Sequence, residues 1–132
     1  MPNAIYPKWK EAISQSSANS SLTGTVKVAL VDTGTYTYSA AHEFLTSLTG
    51  RVGTDQTLAS KTYTNGVFDA ADVTWTAVTG ASCEALVFYI DTGTAGTSRL
   101  VAFIDTGVTN LPVTPNGGDI TLQFNASGIW AL

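Results

Sequence analysis

The chain has 132 residues, 44% of them hydrophobic and 12% charged, with a formal net charge of −4. This length suits one domain with a single core, and the apolar fraction is too high for a disordered chain. Lys8 and Lys10 are the densest basic pair, which argues against nucleic acid as a direct partner.

The charged fraction is about half the usual 25%. Threonine, with Ser, Asn and Gly, takes the place of the missing charges. Threonine is β-branched, so it favours strands and offers a neutral polar face. Protein interfaces are depleted in Lys, Glu and Asp. Much of this surface is therefore read as covered by neighbours; a threonine-rich secreted protein is the blander reading.

The first residues, "MPNAIYPKWKEAIS", contain no long apolar run, so neither a signal peptide nor an anchor is expected here. Pro7 can open a short helix through Ser14, with Tyr6, Trp9 and Ile13 at compatible spacing. The polar stretch "SQSSANSSLTG" then reads as a linker. This gives the one expected boundary: an N-terminal arm and linker over 1–20, and a β-rich domain over 21–132. Arms of this kind carry apolar groups that need a surface, because a lone short helix does not hold together in water.

"TVKVALVDTG" alternates Val26, Val28 and Leu30 with Thr25, Lys27 and Ala29, which predicts a half-buried strand. Ser39 is a good N-cap, and Ala41, Phe44, Leu45 and Leu48 fall on one helical stripe ended by Gly50. His42 and Glu43 lie off that stripe, so His42 is expected on a solvated helix face. Asn65-Gly66 predicts a hairpin turn. Val73–Val78 predicts a strand with Trp75 between threonines. Ala85–Ile90 and Leu100–Ile104 are continuous apolar runs. They read as central strands covered on both faces, too short to span a membrane. "LPVTPNGGD" is a turn, and Ile120, Leu122 and Phe124 mark a closing strand, with Trp130 and Leu132 pinning the end. The fold class is mainly β: a β-sandwich or small barrel of about six to eight strands with one or two short helices.

The triplet Asp-Thr-Gly occurs three times: Asp32-Thr33-Gly34, Asp91-Thr92-Gly93 and Asp105-Thr106-Gly107. Apolar strand followed by Asp-Thr-Gly is how aspartic proteases present a catalytic carboxylate. Two such loops must meet so that two carboxylates share one proton, and a homodimer could supply them. Against this, the link from Asp91 to Asp105 suits a hairpin rather than two lobes. The nearest bracing segment, Leu48-Thr49-Gly50-Arg51, falls in or just after the expected helix. Asp and Gly are also ordinary residues for leaving a strand, so the triplets are read as turns.

One His and one Cys cannot build a zinc cluster within one chain. Asp69 and Asp72 lack the spacing of a calcium loop and read as a turn, with Asp72 as its cap. "GTAGTS" has neither the Lys nor the following helix of a phosphate loop. Cys83 reads as a buried small hydrophobe, since nothing places a base beside it. No catalytic residue, metal ligand or cofactor is expected. Trp75, Phe88 and Phe103 read as core aromatics. Ile5, Tyr6, Trp9 and Ile13 on the arm, and Tyr36 and Tyr38 on a strand exit, are the interface candidates.

"NAIYPKWKEAI", "VKVALVDTGTYTYSAAHEFLTSL", "FDAADVTWTAVTG", "EALVFYIDTGTAGTSRLVAFIDTG" and "LPVTPNGGDITLQFNASGIWAL" resemble, in that order, a family of small virion proteins of tailed bacteriophages. "PVTPNGGDI" after a "DTG" is the most specific part. The resemblance implies a non-enzymatic structural protein, similar in size to capsid decoration (cement) proteins, that bridges major capsid subunits. It implies a place on the capsid surface, assembly in the host bacterial cytoplasm, and a homo-oligomer, trimer or dimer. A tail or host-glycan-binding component is the alternative, and a homodimeric protease the third reading. A decoration protein should show an apolar underside, and a glycan binder an exposed aromatic platform.

Overall fold

The computed structural model describes residues 3–9 and 24–131. It is mainly β, with ten strands among the described residues in three antiparallel sheets. The strands are β1 (Ala4–Ile5), β2 (Val26–Val31), β3 (Arg51–Thr57), β4 (Thr62–Thr64), β5 (Val67–Asp69), β6 (Val73–Trp75), β7 (Ala85–Ile90), β8 (Arg99–Ile104), β9 (Ile120–Leu122) and β10 (Trp130–Ala131). The main sheet has the order β1-β8-β7-β2-β3, and two small sheets have the orders β10-β5-β4 and β6-β9.

The two long apolar runs form the centre. All six residues of β7 are buried, as are five of the six in β8. β2 is buried more deeply than its alternation suggested: Ala29 and Val31 are covered as well as Val26, Val28 and Leu30. Both faces of the sheet are therefore roofed. On one face Phe88 meets Phe124 and Trp130, and Trp130 stacks on Phe68 at 4.1 Å between ring centroids. On the other, Phe103 meets Tyr36 and Tyr38 from the loop after β2. The Asn65-Gly66 hairpin forms as read, with both residues at positive φ joining β4 to β5.

Three departures have physical causes. The helix expected over Ser39–Leu48 is absent. Ser39 caps a single turn, its Oγ accepting the Ala41 N–H at 3.2 Å and its carbonyl the His42 N–H at 3.1 Å. The edge of β8 then takes the backbone: Leu100 N–H donates to the Glu43 carbonyl, and Leu45 N–H to the Ser98 carbonyl. Only a 3-10 turn, Leu45–Ser47, survives, because sheet pairing outweighs a weak helix propensity. β3 carries no strand pattern of its own, since "RVGTDQT" holds one apolar residue. It forms as a partner for β2, with Gly53, Thr54 and Asp55 bulging opposite Ala29.

The third departure is the arm. Ala4 and Ile5 pair with Phe103 and Ala102 of β8, and Tyr6 and Trp9 are 0% and 2% exposed. Pro7–Trp9 are helical. This segment is seated in the body of its own chain. Ile13, the rest of the expected helix and the expected linker as far as Thr23 lie outside the described residues.

Candidate functional site

β2 and β8 run parallel to each other on either side of β7, so both leave the sheet at the same end. Val31 lies opposite Ala85, and Leu86 opposite Ile104. Asp32 and Asp105 therefore sit at one end, with Glu84 between them, and Asp91 at the other. Two strand spacings put the Asp32 and Asp105 backbones about 10 Å apart, whereas a proton-sharing pair needs carboxylates about 3 Å apart. No two of the three triplets lie on neighbouring strands at one end of the sheet.

Each triplet is engaged locally. Asp32 Oδ1 accepts the Gly34 N–H at 2.8 Å, and its Oδ2 accepts the Thr35 hydroxyl at 3.2 Å. Asp91 Oδ1 accepts the Gly93 N–H at 3.0 Å, and Lys27 Nζ lies 3.3 Å from Oδ2. The Gly93 N–H, then Lys27 and Ser98, hold the Asp91 carboxyl below its ordinary value against a smaller opposing effect of burial. In the third triplet the capping group comes from elsewhere: Asn3 Oδ1 accepts the N–H groups of Asp105 and Thr106 at 2.7 and 3.1 Å. Leu48-Thr49-Gly50, read as helical or nearly so, instead lies against the first triplet, where the Gly50 carbonyl accepts the Asp32 N–H at 2.9 Å.

A cleft of about 350 Å³ opens at this end, lined by Thr33, Tyr38, Glu84, Phe103, Asp105 and Pro112 among others. Glu84 Oε1 accepts both the N–H and the hydroxyl of Thr33, at 3.0 and 2.9 Å. Behind the cleft runs a buried polar chain from Tyr6 Oη to Tyr36 Oη at 2.7 Å, and on to His42 Nδ1 at 2.8 Å. Burial raises the Tyr6, Tyr36 and Tyr38 hydroxyls above the ordinary phenol value, so all three stay protonated. His42 is thus half-buried and bonded, not on a solvated helix face. Nothing in its local sequence marks this; the partner comes from the preceding loop, and Tyr6 from across the chain.

The other candidates fall out as follows. Tyr6, Trp9 and Tyr36 are buried, and Ile5 and Tyr38 are half-buried, all packed within this chain. Cys83 is buried, and burial, with Glu84 and Asp32 nearby, pushes its thiol up to about 11, which suppresses the thiolate. Asp72 caps a distant strand end, its Oδ1 accepting the Phe124 N–H at 3.0 Å. Among the described residues no group of three His, Cys, Asp or Glu is placed to hold a metal ion.

The outer surface is unusual in composition. Among the described residues only Lys8, Arg51, Asp72 and Asp119 are both charged and exposed, and no Val, Leu, Ile or aromatic residue is exposed. Threonine fills the outward positions instead. On the β6–β9 sheet Val73 and Trp75 point inward, while Thr74 and Thr121 face out with their hydroxyls 2.9 Å apart. No family model and no curated protein matches the chain.

Proposed function

We propose that this protein is a non-enzymatic structural component of a tailed-bacteriophage virion, acting as a decoration protein that bridges major capsid subunits. The observation that supports it most is the nearly uncharged, threonine-covered β surface. Such a surface is poorly suited to dispersing a lone domain. It is well suited to being covered by neutral contacts, direct or through water. The likeness to small virion proteins points the same way. The contact surface is then polar and uncharged rather than the apolar underside first expected. The glycan-binding alternative draws less support, since none of the thirteen aromatic residues is exposed to offer a stacking face.

The test is to add the purified protein to particles assembled without it, then sediment them. Saturable co-sedimentation is expected. Because few charges are involved, raising salt from about 0.05 to about 0.5 M should change the affinity by less than about threefold. Absence of binding to particles, or binding only to host glycans, would sink the decoration reading.

A further inference from the structure

The chain contains two Asn-Gly pairs, Asn65-Gly66 and Asn116-Gly117. Such a pair is chemically labile, because the glycine nitrogen can attack the preceding side-chain amide with no Cβ in its way. Both asparagines are exposed, so water reaches both. The fold nevertheless treats them differently. At Asn116 both reacting groups are held. The Gly117 N–H, which would supply the attacking nitrogen, donates to the Val78 carbonyl at 2.7 Å. Asn116 Oδ1 accepts the Gly118 N–H at 2.9 Å, which fixes the side-chain amide. The Val78 N–H returns a bond to the Gly118 carbonyl at 3.0 Å, and the Ala77 N–H donates to Asp119 Oδ1 at 3.0 Å. The whole loop is thus tied to the segment after β6.

At Asn65 neither group is held. Among the described residues no hydrogen bond engages the Asn65 side chain or the Gly66 N–H. The two-residue turn closes through its flanks, Thr64 and Val67, and leaves the N–H of its second residue to solvent. β4 is a three-residue strand at the edge of a three-stranded sheet. Its hairpin therefore opens locally at less cost than the buried central sheet. Such openings let the Gly66 nitrogen reach the side-chain carbon.

We propose that Asn65 is a site of spontaneous deamidation in the folded protein, while the fold keeps Asn116 unreactive. The Gly66 backbone nitrogen gives up its proton to solvent base and attacks the Asn65 Cγ. The bond from Cγ to the side-chain nitrogen breaks, and ammonia leaves. Water then opens the resulting cyclic imide at either carbonyl, giving aspartate or isoaspartate. Water is the only co-reactant, and nothing is oxidised or reduced. Each event adds a carboxylate to a surface with few exposed charges. The isoaspartate product also adds a carbon to the backbone of a turn whose residues sit at φ 52 and 78. That insertion disturbs the register of Tyr63 opposite Phe68, the residue that stacks on Trp130. This chemistry does not depend on the decoration reading.

The test holds the full chain in mildly alkaline buffer and follows its peptides by mass spectrometry over time. The peptide carrying Asn65 should gain the mass of an amide turned to an acid at least about tenfold faster than the peptide carrying Asn116. Isoaspartate should form part of the product. In the urea-unfolded chain the two rates should come within about threefold of each other, since the protecting bonds are gone. Asn116 reacting as fast as Asn65 in the folded protein overturns the proposal. So does a ratio unchanged by unfolding, or an Asn65 that stays intact while the unfolded chain reacts. Asn65→Gly keeps a residue that tolerates positive φ. It should remove the acidic species that accumulates first on anion exchange; persistence of that species also overturns the assignment. If the variant does not fold, the parent's two rates still decide.

Discussion

Asp32, Asp91 and Asp105 share a triplet but not a circumstance. The first two cap their own turns through the Gly N–H two residues on, while Asn3 caps the third. Asp32→Asn, Asp91→Asn and Asp105→Asn should each leave particle binding intact, with stability losses of about 0.5–2 kcal/mol; an acid peptidase activity abolished by one of them would reverse this expectation. Asp91 adds a pH signature. Its folded value is depressed by the Gly93 N–H and Lys27, so its contribution is present above the unfolded carboxyl value near ~3.9. It is lost as pH falls through the lower folded value. Urea titrations of Asp91→Asn and the parent should differ by roughly 0.5–1 kcal/mol near neutrality, given solvent screening of the pair. They should converge once the pH lies below that lowered folded value.

At the scale of elements, the N-terminal strand changes what truncation means. Trp9 meets Trp130 edge-on at 6.3 Å, and Tyr6 lies between Tyr36 and Tyr38. Trp9→Ala should cost about 3–5 kcal/mol of folding stability, a large share of the ~5–15 available to a small domain. Deleting Met1 through Gln15 should lower the melting temperature sharply rather than leave an intact domain that has only lost its anchor. Thermal melts of the two variants check this, and a truncated form melting like the parent would return the segment to the role of a free arm. Phe103→Ala, on the opposite side of the same strand pair from Trp130 and beneath Tyr36 and Tyr38, should cost a similar ~3–5 kcal/mol by urea denaturation.

For the whole molecule, the charges that exist are mostly spent internally. Lys27 pairs with Asp91, Arg51 with Asp55, and Arg99 with Glu43. Asp55 also accepts the Tyr89 hydroxyl at 2.5 Å. This leaves an exterior dominated by Thr, Ser, Asn and Gly, over which the formal net charge of −4 is a modest repulsion between copies. Association should therefore respond to protein concentration more than to salt. Sedimentation velocity across a concentration series at low and high salt should show self-association in both; a strictly monomeric protein at every concentration would remove the homo-oligomer from the proposed function.

The sequence by itself determined the mainly β class, the central strands β7 and β8, the Asn65-Gly66 hairpin and the inward set Val73, Trp75, Ile120 and Leu122. Each of these rests on local signals: apolar runs, period-two alternation, or turn residues with positive φ. Tertiary structure decided the rest. The Ser39–Leu48 stripe has a helical period, yet the free edge of β8 claimed its backbone. β3 has almost no pattern and exists because β2 needed a partner. His42, Tyr36 and Tyr6 met only because the N-terminal strand and the Glu43–Leu45 segment share one edge of β8. A hydrogen bond between residues far apart in the chain leaves no periodic trace, so neither that polar chain nor the burial of Trp9 could be read until the strands were placed.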